Sequence, residues 1–221
     1  MTNQSAAFER EYYAANYRNY DRQNPERKLA HYRQAVTRYA RPSAEPSILD
    51  IGCAFGKFLA SMDRPWKITG IDYSEYAISI AREQVGRGRF AVVRDGRIPF
   101  AEPFAAITAW DVIEHIPDLD AVANEVNTHL SDDGVFVFVV PVYDGPIGPV
   151  VRLLDGDPTH VHRMPRRFWL DWARRYFVVE DWWGIFRYLL PTGHYVHRPT
   201  HTLRGVAPAV AVVARRRAAC R

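Results

Sequence analysis

From residue 47 onward, short apolar runs alternate with segments of helical periodicity, and this alternation limits the possible folds most. The apolar runs have the length of buried strands and lie near residues 47–51, 67–71, 90–94, 105–110 and 134–140. The amphipathic segments between them lie near residues 56–62, 75–85 and 119–130. Strands that alternate with helices form parallel sheets through right-handed crossovers. The sequence therefore predicts an α/β fold with a doubly wound sheet and helices on both faces.

Two further apolar runs near the end of the chain extend this sheet. They lie near residues 178–185 and 207–214, after a helical segment near 166–176. No helix-sized apolar pattern separates the two runs, so we expect them to form an antiparallel hairpin at the sheet edge. The complete sheet would then have seven strands, mostly parallel.

The N-terminal segment has a different pattern, with tyrosines along two short helical faces. We expect two helices within residues 5–40, separated by Asn24 as an N-cap and Pro25 at the first helical position. These helices are too short to form a core alone. Residues 1–44 are therefore interpreted as a helical lid on a domain that spans residues 45–221.

Composition and cysteine use indicate a cytoplasmic, reduced protein without a membrane segment. The chain is 48% hydrophobic and 24% charged, and no apolar stretch approaches the ~20 residues of a membrane span. The polar, aromatic N-terminal segment is no secretory signal. Cys53 and Cys220 fit neither a zinc spacing nor a disulfide framework.

The chain carries a net charge of +4, mostly from arginine clusters such as HRMPRRFW and ARRRAACR. Such clusters would suit a nucleic-acid partner, or they would be solvated helix faces. The second interpretation is favoured because the basic residues do not line one continuous stretch. Oligomeric state is left open.

The stretch ILDIGCAFGKFL, residues 48–59, joins the first strand to the first helix of the sheet. Gly52 allows a tight turn, and Gly56 lets backbone N–H groups approach a ligand. An ordinary strand-to-helix turn would also use glycine. Asp72 ends the second strand 20 residues beyond Gly52, where a carboxylate can accept both hydroxyls of a ribose or cap a helix. Together the loop and the acid favour an adenosine-type ligand.

Five segments resemble, in order, the motifs of class I S-adenosylmethionine-dependent methyltransferases of the small-molecule type. They lie between residues 47 and 141 and read ILDIGCAFGKFL, GIDYS, DGRIPF, ITAWDVIEHIPD and LSDDGVFVFVVP. Ala54 departs from the pattern, because the family commonly has a glycine there. The resemblance implies a Rossmann-like sheet and S-adenosylmethionine as the cofactor.

The resemblance also implies which residues hold the cofactor. They are Asp50, Gly52, Ala54 and Gly56 for its amino-acid end, Asp72 for the ribose, Tyr73, Asp95 and Gly96 for the adenine, and the carbonyl of Trp110 for the ammonium. On this interpretation the glycine loop is bare because the methionine part of the cofactor lies against it.

Two histidines are candidates for the general base, because a hydroxyl or ammonium acceptor must lose a proton. His115 follows the fourth strand, and His160 lies after the fifth strand in DGDPTHVHRMPRRFW. Imidazole has a suitable pKa for this role. His115 is narrowly preferred because it is closest to the strand end that meets the cofactor, although Glu114 and His115 could instead brace the next helix.

The segment after the fifth strand also has a metal-like spacing in Asp157, His160 and His162. No firm third ligand is visible beside the two histidines, so we expect substrate contact or loop structure and no metal. The residues expected to face the acceptor are Tyr13, Tyr17, His115, His160, His162 and Arg163.

The leading functional prediction is methyl transfer to an oxygen or nitrogen of a small molecule, such as a natural product, sugar or metabolite. An RNA methyltransferase is a second hypothesis, supported only by the arginines; the fourth strand lacks an Asn-Pro-Pro-Tyr-like element. A catalytically inactive S-adenosylmethionine-binding module is a third. Retention of the acids Asp50, Asp72 and Asp95 argues against such a loss of function.

Overall fold

The computed structural model describes residues 20–41, 43–190 and 192–217. The strands are β1 (Ser47–Ile51), β2 (Lys67–Asp72), β3 (Arg89–Val92), β4 (Phe104–Trp110), β5 (Leu130–Pro141), β6 (Phe177–Leu189), β7 (Tyr195–Thr200) and β8 (Ala209–Arg216). The helices are α1 (Tyr20–Gln23), α2 (Glu26–Tyr39), α3 (Lys57–Ser61), α4 (Glu75–Val85), α5 (Leu119–His129), α6 (Gly148–Leu154) and α7 (Arg166–Tyr176). A 3-10 turn covers Ile113–His115.

All eight strands form one sheet in the order β3-β2-β1-β4-β5-β8-β6-β7. The first five positions are parallel, and β8, β6 and β7 are antiparallel to their neighbours. The predicted doubly wound, mostly parallel fold is therefore confirmed. Strand order reverses between β1 and β4, and the carboxyl ends of these two strands border the crevice where such sheets bind ligands.

The C-terminal part of the sheet differs from the prediction in strand count and in order. The runs predicted near 178–185 and 207–214 do pair antiparallel, as β6 and β8. However, β8 lies between β5 and β6 and is no edge strand, which explains why residues 209–214 are all fully buried. The sheet has eight strands instead of seven because β7 is added at the edge. Its sequence, YVHRPT, has no apolar run, as suits an edge strand that contains a proline.

Helix α2 packs onto the sheet through one apolar face. Leu29, Tyr32 and Val36 are buried there in the same hydrophobic cluster as Ile48 of β1 and Val137 of β5. This spacing places the three α2 side chains on one side of the helix. The lid boundary after residue 44 stays a prediction, and Tyr13 and Tyr17 lie outside the described residues.

The predicted N-cap of α4 agrees with the structure, whereas the N-cap of α2 lies one residue later than predicted. Ser74 caps α4 by accepting a hydrogen bond from the Ala77 N–H at 3.1 Å, as predicted. The N-cap of α2 is Pro25 and not Asn24. The Asn24 amide instead donates to the Tyr20 carbonyl at 2.9 Å. A proline at the cap itself lacks only an N–H that the helix would not use.

The segment that follows β5 returns to the end of β4. The backbone N–H groups of Val161 and His162 donate to the Glu114 carbonyl at 3.1 and 3.0 Å. This pairing brings the loop from 155 to 163 onto the 3-10 turn that follows β4. No local sequence pattern predicts such a contact, because it joins segments about 45 residues apart.

Within the described part of the chain, no helix is both long enough and apolar enough to span a bilayer.

Candidate active site

The glycine loop after β1 is shaped first by the protein's own packing. Gly52 and Gly56 have positive φ values of 69° and 73°. A Cβ on Gly52 would lie 2.7 Å from Cγ1 of Val112, and a Cβ on Gly56 would lie 2.7 Å from Cγ2 of Val85. Both contacts are too short for a side chain. The absence of side chains at these two positions therefore has an internal cause, in addition to the cofactor that the sequence predicts against the loop.

Ala54, which replaces the expected middle glycine, also has a left-handed backbone, with φ of 47°. Its N–H donates to Oδ2 of Asp72 at 3.0 Å, and its side chain is buried. The hydrogen bond fixes the loop in a conformation that alanine adopts at some cost. Alanine therefore keeps the left-handed backbone geometry that a glycine would have at this position.

Asp72, at the carboxyl end of β2, links the glycine loop to the start of α4. Besides the Ala54 N–H, it accepts a hydrogen bond from the Ser74 N–H on Oδ1 at 2.9 Å. The residue is 7% exposed and lies at the strand end where ligands of such sheets bind. A carboxylate has about four acceptor positions. The geometry therefore allows both the bracing role and the ribose contact that the sequence predicts.

Asp50 lies in the middle of the sheet beside the same crevice. Its Oδ1 accepts a hydrogen bond from the Thr108 hydroxyl at 2.6 Å, across the β1–β4 pair. Burial raises the pKa of Asp50 to about 8; the Thr108 bond opposes this rise, and the negative charge of Asp72 adds to it. Two neighbouring acids in a buried site favour a cationic ligand. The ammonium and sulfonium of S-adenosylmethionine fit this requirement.

The turn after β3 faces the ring of Tyr73. Asp95 and Gly96 both have positive φ, and a Cβ on Gly96 would lie 3.7 Å from the Tyr73 hydroxyl oxygen. Tyr73 is partly buried against the core, while Asp95 is exposed. The structure therefore brings Tyr73 and the turn with Asp95 close together, and their contact with adenine stays a prediction.

Trp110 ends β4, and its indole ring stacks on Tyr32 of α2. The ring centroids are 4.0 Å apart and the planes differ by 6°.

The next residue, Asp111, has a φ of 60° and forms an ion pair with Arg187 of β6. Buried Lys28 lies nearby, and burial lowers its pKa to about 8, although Asp111 opposes the change. The sequence predicted Trp110 but gave no sign of this charged cluster, whose members come from three distant elements.

His115 is held by a short chain of hydrogen bonds from the loop after β5. The Thr159 hydroxyl donates to Oδ1 of Asp157 at 2.5 Å and lies 2.9 Å from Nδ1 of His115. Since the hydroxyl proton is directed to Asp157, Nδ1–H of His115 donates to Thr159. Burial lowers the pKa of His115, and so does neighbouring His160. The neutral ring then carries its lone pair on Nε2.

His160 has a matching arrangement with Asp155 and Tyr143. Its Nδ1 lies 2.8 Å from Oδ1 of Asp155, while the Tyr143 hydroxyl donates to Oδ2 at 2.7 Å. Burial raises the pKa of Asp155, but the hydrogen bonds from His160 and Tyr143 outweigh it and lower the pKa to about 2. An ionised carboxylate accepts only, so Nδ1–H of His160 donates to it.

Glu114 is the third member of the cluster that contains His115 and His160. Its side chain is fully buried, and neither carboxylate oxygen makes a hydrogen bond among the described residues. Burial raises the pKa of Glu114 well above its usual range, and the charge of Asp111 raises it further. Oε1 lies 4.0 Å from Nε2 of His160. One ligand atom each of Glu114, His115 and His160 lies within 4.8 Å of the others.

The structure brings the two candidate bases together and separates the other two residues of their segment. The rings of His115 and His160 are 4.6 Å apart. His162 instead has Nε2 3.0 Å from the Ile116 carbonyl, and Arg163 donates to Asp155 at 2.8 Å. Their predicted contact with an acceptor stays a prediction. Tyr143, Lys28 and Arg187 were not foreseen; Asp155, in the quoted stretch DGDPTHVHR, was overlooked.

A glycine loop followed by carboxylates on two adjacent strands, at the reversal point of a doubly wound sheet, fits the class I methyltransferases that the sequence resembles. Residues 20–206 match the family model described as a methyltransferase domain. The chain belongs to this methyltransferase family. S-adenosylmethionine is the cofactor of the class, and the acids and the loop described above fit it.

Curated relatives and solved structures agree with this assignment. The chain is 28% identical over 102 residues to a ubiquinone biosynthesis O-methyltransferase of Actinobacillus pleuropneumoniae, which covers 41% of the chain and 44% of that relative. The matched stretch thus spans less than half of the relative. The YcgJ protein of Bacillus subtilis superposes with a TM-score of 0.65 at 18% identity, over 88% of this chain and all of that one. Geranyl diphosphate C-methyltransferase of Streptomyces coelicolor gives 0.62 at 12% identity, over 87% and 82%.

Proposed function

We propose that this chain transfers the methyl group of S-adenosylmethionine to a hydroxyl oxygen of a small molecule. The observation that carries the proposal is the pair of imidazoles, His115 and His160, at the turn that follows β4. Each ring has Nδ1 within hydrogen-bond distance of an oxygen, so Nε2 would be the atom that accepts a proton. Two oriented proton acceptors suit an acceptor group that must lose a proton.

The reaction needs alignment and one proton transfer. When bound, the cofactor supplies an electrophilic methyl group on a sulfonium. The acceptor O–H bond breaks, its proton goes to an imidazole Nε2, and an O–C bond forms as the S–C bond breaks. A positioned base typically contributes about 10²–10⁴-fold to such a step. Asp155 holds the His160 ring directly, and Asp157 holds the His115 ring through Thr159; each would stabilise an imidazolium on its ring.

Oxygen is preferred over nitrogen as the acceptor atom because of the curated relatives. Two curated relatives, from Actinobacillus pleuropneumoniae and Chromobacterium violaceum, carry the name ubiquinone biosynthesis O-methyltransferase. The matched stretch covers less than half of each, so only the acceptor atom, and not the acceptor molecule, is taken from them. A hydroxyl also depends on a base at neutral pH more than a neutral amine does.

RNA as the acceptor receives little support from the arginines. Arg166 donates to the Gly205 carbonyl at 2.6 Å and is buried, and Arg215 pairs with Glu180 at 2.6 Å. Arg163 is bound to Asp155. Guanidinium groups that already have carboxylate or carbonyl partners attract phosphates less than unpaired ones.

Turnover with defined acceptors tests the proposal. The purified chain would be incubated with S-adenosylmethionine and separate panels of phenols, alcohols, anilines and a structured RNA, and S-adenosylhomocysteine formation would be measured. We expect product with at least one hydroxyl compound and none with RNA. Methylation confined to amines or RNA would contradict the proposal. Cofactor binding by calorimetry with no turnover on any panel would instead indicate an inactive binding module.

A further inference from the structure

A fully buried carboxylate lies between two histidines where the chain leaves β4. Neither oxygen of Glu114 makes a hydrogen bond among the described residues, although the side chain has no solvent exposure. A buried polar group without a partner costs free energy, so such a group calls for an explanation. Nε2 of His160 is 4.0 Å from Oε1, which is too far for a hydrogen bond.

The two histidines are oriented as metal-binding histidines commonly are. In metal sites the ligating imidazole usually donates its other N–H to a carboxylate or another oxygen, which fixes the tautomer and the ring direction. His160 donates to Asp155, and His115 donates to Thr159, which is itself bound to Asp157. The same supporting pattern thus occurs twice around one buried carboxylate.

We propose that Glu114, His115 and His160 bind one divalent transition-metal ion, with zinc as the best match. Two imidazole nitrogens and a carboxylate oxygen are a ligand set that suits Zn²⁺ and leaves one position open, as in catalytic zinc sites. Ligand atoms at about 2.0–2.2 Å from a tetrahedral ion lie about 3.3–3.6 Å from one another. The three atoms are now within 4.8 Å, so small side-chain shifts would suffice.

This ligand set differs from the one that the sequence spacing suggested, and it overrides our expectation of no metal. The spacing grouped Asp157 with His160 and His162. Asp157 instead accepts from the Thr159 hydroxyl and backbone N–H, and His162 faces the Ile116 carbonyl. Asp157 therefore supports a ligand, and His162 lies outside the cluster.

The role of the ion in catalysis rests on the proposed function, but its binding does not. An acceptor hydroxyl in the open position would lose its proton more readily, because a bound Zn²⁺ lowers the pKa of a coordinated oxygen by several units. The two Nε2 atoms would then hold the ion instead of accepting the proton. Methyl transfer would still form the O–C bond as described, and the proton would leave to solvent.

Direct metal titration tests the site without any acceptor. The purified full chain would be treated with a chelator, desalted and titrated with Zn²⁺ against a chromophoric competitor, and with Co²⁺ while the visible spectrum is recorded. We expect one Zn²⁺ per chain, little response to Mg²⁺, and a Co²⁺ spectrum of low coordination number. Stoichiometry near zero, or equal affinity for Mg²⁺, would overturn the proposal.

Matched variants locate the ion. Glu114→Gln keeps the size of the buried side chain, and His160→Gln removes one imidazole. Each should weaken Zn²⁺ binding by more than about a hundredfold, since changes to supporting residues alone cost about 10–100-fold. His162→Gln, from the same segment, should bind Zn²⁺ like the unmodified chain. Circular dichroism would confirm folding of each variant.

The outcomes separate this site from the proposed function. Unchanged Zn²⁺ affinity in folded Glu114→Gln, or equal loss in His162→Gln, would refute the site while leaving O-methylation intact. Zn²⁺ binding by the predicted ligands without methylation of any hydroxyl compound would uphold the site and refute the function.

Discussion

The carboxylate of Asp72 accepts backbone N–H groups from both the glycine loop and the start of α4, and it also borders the crevice. If Asp72 also holds the ribose, as the sequence predicts, one side chain would connect cofactor binding to loop geometry. The ribose role and the capping role were predicted as alternatives. A carboxylate can accept more than two hydrogen bonds, so one role does not exclude the other.

Replacing Asp72 by alanine should weaken the binding of S-adenosylmethionine at least about tenfold. One charge-assisted hydrogen bond contributes about 1.5–3 kcal/mol, and the loop would also lose its anchor. Isothermal titration calorimetry measures the effect. Ser74→Ala is the matched control, because it removes the α4 cap and leaves the carboxylate. A folded Asp72→Ala variant with unchanged affinity would show that Asp72 does not hold the ribose.

Asp50 should make the cofactor-free protein less stable as pH rises from about 4 to about 8. Its pKa in the fold is about 8 and its ordinary value is 3.8, so the folded chain binds more protons in this window. Stability then falls with increasing pH, by up to about 1.4 kcal/mol per pH unit from this group. Urea unfolding of Asp50→Asn and the unmodified chain at several pH values would compare the slopes. Parallel slopes would contradict the assignment.

Replacing His115 or His160 by alanine should give different kinetic results for a general base and for a metal site. If one imidazole is the base, only its alanine variant should lower kcat by about a hundredfold or more while cofactor affinity stays intact. If His115 and His160 hold a metal ion, both variants should lose kcat alike and should also lose Zn²⁺. His129→Ala on α5 is the control. A rise in KM alone would mean that the histidines only position the acceptor.

At the scale of elements, α2 connects the N-terminal segment to the end of β4. Tyr32 is 1% exposed and stacks on Trp110, and Lys28 lies beside the Asp111–Arg187 pair. The strand end that faces the crevice is thus supported by a helix outside the parallel βα units. The helical period of the sequence predicted aromatic faces in this segment. No local pattern indicated which strand they would contact.

Tyr32→Ala should destabilise the protein by about 3–5 kcal/mol, because a large buried ring is lost from a close-packed site. Tyr32→Phe should stay within about 1 kcal/mol, since the ring and its stacking are kept. Chemical denaturation monitored by tryptophan fluorescence would measure both. If the two variants were equally stable, α2 would contribute little to the core, and a detachable cover would be the better description.

The sequence predicted elements that have a local pattern and missed those defined by contacts. Predicted bounds for β1, α4 and α7 agree with the structure, since each has a clear period or cap. Strand β7 and helix α6 were missed because neither has an apolar period of sufficient length. The cluster of Glu114 with two histidines was missed for another reason: the loop that supplies His160 is placed by backbone bonds to Glu114.

At the scale of the whole molecule, the order of strands follows the chain in the first half and departs from it in the second. Strands β1 to β5 are laid down in succession, with each new strand beside one already present. Strand β6 is different, because its neighbours are β8 and β7, which both come later in the chain. Until residues 209–216 exist, β5 has an open edge and β6 has no route into the sheet.

This arrangement sets an order for folding during synthesis. The ribosome delivers the N-terminal part first. The half of the sheet with the glycine loop could therefore form early, whereas β6 and β7 must wait for β8 before they join the sheet. A chain stopped after residue 205 should leave two unpaired strand edges and aggregate, as exposed edges promote association. Pelleting assays on ribosome-released fragments would check this. A soluble, monomeric fragment would show that the sheet closes without β8.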